Sequence, residues 1–446
     1  MPRVYIESQV TVRDLLSRIL LGLQILNKST FIDSIVIGRN GKIQSMVKFD
    51  QGFAYIADNF SIPAKARFEK IRPFAARIYA FCDESTALNN EPLYLQRRAN
   101  KISIQNCDHI FATSNYHRDL LTNAYPELEK KISNFGLPRF DFLKDGCRTI
   151  YDAQVNNLKG KYGEYILMPS NGARGRYLQI DQLLKKLLGR GEINDNQVDE
   201  FVNYYKNLND SAEQFDQAAI SLAEMHKGLN FVYRGKPHSE YSAFEKNKLP
   251  ENLFVESSLS VHPWILGAAA VVHQNCTTGI EAFVAGISSV DFIPRTLQHI
   301  SKAPHALTNC AHTIDQLSDF LGGDKATIDK KISPGDVSYF FGDLENYSSE
   351  KIANFIASDF RQNVGIGDSS NSRIGANFRR KIRSFSAARY VSDKMNFNGR
   401  GGDIRSKDVH FYVEKILQVM KPFSNQTSFR VKWHDREVFE LNKKGF

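Results

Sequence analysis

Ala269-Ala-Val-Val-His-Gln-Asn-Cys-Thr-Thr-Gly-Ile-Glu-Ala282 is the stretch that decides the fold. The apolar run Ala269–His273 reads as a strand, the small polar residues after it as a turn, and a helix is predicted to begin at Thr277 or Thr278. A strand that is apolar on both faces and passes through a short turn into a helix is the repeating unit of a parallel sheet covered on both sides. The helix start offers free backbone N–H groups and the positive end of the helix dipole, a ready site for phosphate. The hydroxyls of Thr277 and Thr278 add donors, and Glu281, one turn on, is placed to accept from ribose hydroxyls. Thr278 and Glu281 also stand at capping-box spacing, so the same residues read equally as a plain helix cap.

The rhythm extends outward in both directions. Arg3–Ile6, Ser34–Gly38, Arg77–Phe81 and His109–Thr113 are strand candidates towards the N-terminus. Thr11 and Asp14 resemble a capping box, and Leu15, Leu16, Ile19, Leu20, Leu23 and Leu26 follow at helical spacing. Residues 136–160 are polar and rich in turn elements, and a boundary is expected there. The pattern restarts at Tyr165–Met168, passes helical segments over about 178–228, and continues in Phe231–Tyr233, Leu253–Val255 and Ser288–Phe292. Beyond Gly365 the chain turns polar around Asp368-Ser-Ser-Asn-Ser, then reads as basic amphipathic helices near 373–390 and 407–420 and a strand-like end. The expected organisation is α/β: a Rossmann-like domain over 1–155, a second over 160–335, and a helical return segment with a basic tail over 336–446. Such sheets bind ligands at the carboxyl ends of their strands.

Composition narrows the class. The chain has 446 residues, 42% of them hydrophobic and 24% charged, which excludes collagen, a long coiled coil and wholesale disorder. The five cysteines (Cys82, Cys107, Cys147, Cys276, Cys310) are scattered and form no C-x-x-C pair, so structural zinc and thioredoxin-like chemistry are disfavoured and reduced cytosolic thiols expected. The longest apolar run, Trp264–Val272, is about half of the ~20 residues a bilayer requires. Leu15–Leu26, interrupted by Ser17 and Arg18, is not read as a signal peptide. Residues 361–446 carry 18 Lys/Arg against 8 Asp/Glu, so the tail holds the whole of the net charge of +9. A neutral body with a basic tail argues against nucleic acid as partner. The tail reads either as an attachment to an anionic surface such as the inner face of the cytoplasmic membrane, or, through the helically spaced Ile374, Phe378, Ile382 and Phe385, as a segment that docks back on the first domain.

Three further segments bear chemistry-competent residues. In Val232-Tyr-Arg-Gly-Lys-Pro-His-Ser-Glu240 a strand opens into a basic loop, where Arg234, Lys236 and His238 are placed to meet a leaving phosphate with His238 as proton donor. In the loop 169–176, Gly172 and Gly175 let backbone approach an anion, and Arg174 or Arg176 supplies charge. Asn171 here and Asn275 in the first stretch complete the donor-binding candidates. In Phe81-Cys-Asp-Glu-Ser-Thr86 paired carboxylates, Asp83 and Glu84, end a strand and suit the work of base or nucleophile; a cap for the next helix is the plainer alternative. There is no Asp-x-Asp, no Gly-x-x-x-x-Gly-Lys-[Ser/Thr], no Gly-x-Gly-x-x-Gly and no Gly-x-Ser-x-Gly, so metal–diphosphate, P-loop, dehydrogenase and hydrolase readings lack their motifs.

Ile6-Glu-Ser-Gln-Val-Thr-Val-Arg-Asp14, Asp83-Glu84, Gly136-Leu-Pro-Arg-Phe-Asp141, Lys236-Pro-His-Ser-Glu240 and Trp264 through Glu281 together resemble the bacterial surface carbohydrate biosynthesis family, in its order and over about residues 1–330. The resemblance implies a GT-B-like fold of two Rossmann-type domains facing a cleft, the first holding the acceptor and the second the nucleotide donor. It implies a metal-independent glycosyltransferase with no cofactor, whose substrate is a nucleotide-activated sugar, with a CMP-linked ulosonic acid such as Kdo favoured, and whose acceptor is a glycan or lipid-linked glycan. Relatives usually show Arg-Pro-His-Pro where this chain has Lys-Pro-His-Ser. The alternatives are a CDP-polyol phosphotransferase using the same phosphate cradle, and a non-catalytic carbohydrate- or lipid-binding assembly protein. A cytoplasmic protein is expected, with peripheral attachment to the membrane as the option the basic tail leaves open.

Overall fold

Strands buried on both faces assemble into two mainly parallel sheets in the computed structural model, which describes residues 2–8, 11–170, 180–235, 244, 249–323, 332–364, 406–419, 429–435 and 438–443. The chain divides into two compact units. One comprises Met1–Phe81, Ile102–Phe111 and Ser348–Phe446, the other Cys82–Lys101 and Ala112–Tyr347.

In the first unit, β1 (Arg3–Glu7), β2 (Ser34–Gly38), β3 (Phe53–Ala57), β4 (Ala75–Phe81) and β5 (His109–Ala112) lie in the order β2-β1-β3-β4-β5, each parallel to its neighbours. Their sequences, such as SIVIG and FAYIA, are almost entirely apolar because no face of the sheet meets water. The helix Thr11–Lys28 buries Leu15, Ile19, Leu20, Leu23 and Leu26, the stripe its spacing predicts. The helix Ser348–Asn363 belongs to the same unit: Asp359 takes Arg77 at 3.0 Å and the Tyr79 hydroxyl at 2.7 Å, while Ile352, Ile356 and Phe360 are buried. β13 (Phe429–Asp435) and β14 (Val438–Lys443) form a hairpin, and β14 pairs antiparallel with β2, protecting an edge that would otherwise present unpaired backbone groups. The basic segment 373–390 lies outside the described residues.

The second unit holds β6 (Ile132–Asn134), β7 (Tyr165–Pro169), β8 (Asn230–Arg234), β9 (Leu253–Glu256), β10 (Ala270–His273), β11 (Ser289–Phe292) and β12 (Asn309–Ala311). Six of these form a parallel sheet in the order β12-β11-β10-β7-β8-β9. The chain starts in the middle, runs outward through β8 and β9, returns, and runs outward the other way, the doubly wound Rossmann arrangement. One face is covered by the long helix Val198–Met225 and by Ile314–Gly322, with Phe215, Ala219, Leu222, Phe231, Val272, Phe292 and Phe320 in the shared core. Trp264, fully buried, packs with Tyr162 and Tyr165, and the Tyr165 hydroxyl donates to the Trp264 carbonyl at 2.8 Å. The α/β expectation holds, with strand ends within about two residues of those read from the sequence.

Two local readings are corrected. The stretch 136–160, expected to be polar, tucks Pro138 through Leu143 wholly inside, since Leu137, Phe140, Phe142 and Leu143 outweigh the turn residues around them. The Thr278/Glu281 capping box does not form. Cys276 is the N-cap, so Thr277 and Thr278 are the first two helical residues and Glu281 lies too far into the helix to reach back to the cap.

The hairpin is expected to be structural. Phe439 is fully buried and its ring lies 5.4 Å from that of Trp433. Phe439→Ala is predicted to lower unfolding stability by about 3–5 kcal/mol in urea titration.

Candidate functional site

A doubly wound sheet opens where the strand order reverses, and in the second unit that place is between the carboxyl ends of β7 and β10. β10 leads into the turn Gln274-Asn-Cys276 and the helix Thr277–Ala285, so the helix N-terminus stands at the reversal point. Asn275 has φ of +50°, in the left-handed region that asparagine tolerates better than most residues. Three contacts hold it there. Its backbone N–H donates to Asp291 Oδ1 at 2.7 Å, its Nδ2 donates to the His299 carbonyl at 2.6 Å, and its Oδ1 accepts from the Ser301 N–H.

Beneath the turn, His273 and Asp291 are fully buried, with Nδ1 and Oδ1 3.5 Å apart. The imidazole fills the space that Gly279 leaves open; a Cβ at Gly279 would stand 2.2 Å from Nε2. Burial drives both groups towards neutrality: the Asp291 carboxyl is pushed up to about 7 and the His273 imidazole down to about 3.

The loop after β4 comes to the same helix start. Thr86 Oγ1 lies 3.2 Å from Thr277 Oγ1. This loop is held from below, where Ser85 Oγ donates to the Cys82 carbonyl at 2.7 Å and lies 3.0 Å from Thr113 Oγ1. Thr113 N–H in turn donates to His117 Nδ1, and His117 Nε2 meets the Tyr94 hydroxyl at 2.8 Å. Burial brings His117 down to about 3, so its ring is a neutral strut. Asp83 is buried, and Glu84, half-exposed, pairs with Arg98 at 2.5 Å.

One turn into the helix, Glu281 is buried with Oε1 3.6 Å from Arg139 and 3.5 Å from His262, and the Tyr151 hydroxyl lies 3.1 Å from His262 Nδ1. Arg234, at the carboxyl end of β8, donates to the Leu259 carbonyl at 2.6 Å, steadying a residue whose φ is +60°. The structure therefore gathers Asn275, Thr277, Thr278 and Glu281 with the loop that carries Asp83 and Glu84, and sets Arg234 at the end of a strand of the same sheet. Asn171, Arg174, Arg176, Lys236 and His238 lie outside the described residues. Thr86, His262, His273 and Arg139 fall in stretches that sequence reading singles out without giving these residues a role, and Asp291 reads only as part of a strand. The one available signal was an arginine and an aspartate embedded in the apolar Leu-Pro-Arg-Phe-Asp-Phe run.

The first unit has its own reversal point, between β1 and β3. There the Glu7 carboxylate accepts from the Tyr55 hydroxyl and, at 3.2 Å, from the Asp58 N–H, and Arg67 lies 3.4 Å away. Burial, with Glu7 alongside, pushes the Asp58 carboxyl up to about 8. Among the described residues no group of three or more His, Cys, Asp or Glu side chains is placed to hold a metal ion, and no helix is long and apolar enough to cross a membrane.

By sequence, no family model and no curated protein matches the chain. By structure it is similar to an S. aureus protein, MnaA, solved with UDP (TM-score 0.53, 11% identity, covering 81% of this chain and 97% of that one). It is also similar to the UDP-GlcNAc 2-epimerase of Methanocaldococcus jannaschii in complex with UDP-GlcNAc and UDP (0.52, 12%, 80% and 100%). A third is the UDP-GlcNAc 2-epimerase of Neisseria meningitidis bound to UDP-GlcNAc (0.52, 11%, 81% and 100%). At these identities the likeness is one of fold: the chain has the GT-B-type architecture of Rossmann-like parallel-sheet domains.

The buried pair under the turn predicts a pH signature. Asp291 binds its proton more tightly folded than unfolded, so its contribution to stability is full below about pH 4 and is lost as pH rises to about 7. His273, held down to about 3, contributes oppositely, its stability present above about 6.5 and lost as pH falls. Asp291→Asn removes the first contribution and keeps the second. Relative to wild type, the variant is expected to gain stability as pH rises from 4 to 7, by at most ~1.4 kcal/mol per unit, in urea unfolding at fixed ionic strength. A pH-independent difference between the two proteins would show that Asp291 is ionised throughout.

Proposed function

We propose that this chain is a glycosyltransferase of bacterial surface polysaccharide biosynthesis, moving a sugar from a nucleotide donor to a glycan acceptor without a metal. The observation that carries the reading is the helix Thr277–Ala285 opening at the reversal point of a doubly wound sheet, with the carboxylate-bearing loop 82–86 against its first residue. Free N–H groups at that end favour a phosphate, whose negative charge grows as the sugar departs, so a preorganised donor set stabilises the transition state beyond the ground state. The UDP and UDP-GlcNAc complexes of proteins with this fold support a nucleotide ligand here. The residue resemblance favours CMP and an ulosonic acid such as Kdo.

In this reading Thr277, Thr278 and Asn275 line the phosphate, with His238, Lys236, Arg174, Arg176 and Asn171 as further donor-side groups, Arg234 beside them and Glu281 towards the ribose. Asp83 or Glu84 takes the proton from the acceptor hydroxyl as its oxygen bonds to the anomeric carbon and the phosphate leaves with the electron pair. If configuration is retained, the carboxylate itself attacks first. The acceptor is a glycan or lipid-linked glycan, and the basic tail brings the enzyme to an anionic membrane surface.

Two measurements test this. A thermal-shift panel of CMP, CDP, UDP and GDP should show one nucleotide raising the melting point, by an amount equivalent to about 2.7 kcal/mol at a hundredfold excess over Kd. Asp83→Asn or Glu84→Gln should lower turnover at least ~100-fold with that shift intact. Product analysis then separates the chemistries. A glycoside supports transfer, a phosphodiester makes the enzyme a polyol-phosphate transferase, and a nucleotide sugar epimerised without acceptor would give it the reaction named for the structural neighbours. No stabilisation by any nucleotide would leave a non-catalytic binding protein.

A further inference from the structure

Adjacent strands of the second sheet end in a row of reactive side chains. His273 of β10 stands in register with Asp291 of β11, and Asp291 with Cys310 of β12. Side chains alternate along a strand, so these three share one face, opposite the one on which Val272, Phe292 and Ala311 enter the core. Cys310 Sγ lies 3.0 Å from Nδ1 of His305, on the short helix Lys302–Leu307 that leads into β12. Thr308, between them in sequence, places Oγ1 3.3 Å from His273 Nε2. Cys82, Cys107 and Cys147 are buried, whereas Cys310 and Cys276 are half-buried.

We infer that Cys310, paired with His305, is a reactive-thiol site at which this chain takes a soft carbon electrophile. An ordinary thiol, with a pKa of ~8.5, is only ~1% thiolate at pH 6.5. An imidazole in hydrogen-bond contact accepts the thiol proton, and the imidazolium formed holds the thiolate beside it. Among the described residues the groups that oppose this are the carbonyl oxygens of His305 and Thr308, 3.8 and 3.9 Å from the sulfur, and Asp291, whose carboxyl burial pushes up to about 7 and leaves mostly neutral at pH 6.5. Sulfur then attacks the carbon of the electrophile, the S–C bond forms as the bond to the leaving group breaks, and the thiol proton stays on the imidazole until solvent takes it. The inference stands whether or not the chain binds a nucleotide.

The test is limiting iodoacetamide on the full-length chain at pH 6.5, with the labelling rate of each cysteine read by peptide mass spectrometry. Thiolate enrichment, offset by the lower nucleophilicity of a more acidic thiol, predicts that Cys310 reacts about fivefold faster in the native chain than in the same chain unfolded in urea. His305→Gln should bring the native rate down to the unfolded rate or below it, with Cys276 unaffected. A native Cys310 no faster than the unfolded one, or a rate unmoved by His305→Gln, overturns the inference. Should His305→Gln unfold the chain, seen as rapid labelling of Cys82, Cys107 and Cys147, the wild-type comparison decides alone.

Discussion

A carboxyl group enclosed in protein must find a donor, and Asp291 finds it in the backbone N–H of Asn275. That bond sets the left-handed turn after β10, and the turn aims the helix Thr277–Ala285. Gly279 lets the His273 ring lie against the helix at a distance that even a methyl group would forbid. Asn275 in its turn draws in the 299–301 segment through both ends of its side-chain amide. The helix start, its hydroxyls and the loop against Thr277 all depend on this one enclosed acid.

The first unit meets the same demand in the same way. At its reversal point Glu7 is enclosed at the end of β1 and accepts from the backbone N–H of Asp58 beyond β3, as Asp291 accepts from Asn275. In each unit the acid ties the carboxyl end of one strand to the residues just past another. The partners differ. Glu7 keeps an arginine, Arg67, at 3.4 Å, whereas Asp291 faces a histidine that burial holds neutral, and burial drives Asp291 itself towards the neutral form. Glu281 likewise has an arginine against it, Arg139 at 3.6 Å. Removing one partner of such a buried acid–arginine pair is costly, so these residues support the sites as much as they face them.

Edge protection is the other structural economy. β2 is fully buried and would expose its backbone if it ended the sheet, and the last strands of the chain cover it, with Glu440 accepting from the Ser34 hydroxyl and meeting His434 at 2.6 Å. Together the His434 hydrogen bond, Ser34 and Arg3 outweigh burial and hold the Glu440 carboxyl down to about 2, the opposite direction to Asp291.

Local pattern alone determined the α/β class, the stripe of the helix 11–28, and a helix start within one residue of Thr277. Strand apolarity and helical spacing are properties of consecutive residues, set by how much surface each segment must hide. The sequence-derived strands Ser34–Gly38 and Ala269–His273 agree with the structure for that reason. What tertiary structure decided is every long-range pairing: Thr86 against Thr277, Arg139 and His262 against Glu281, and Asp291 under Asn275. Arg139 looked like part of a polar pause and is enclosed, because the phenylalanines and leucines flanking it carry it inward. Such pairings depend on which strands become neighbours, and strand order is settled by the packing of whole layers, which no window of consecutive residues contains.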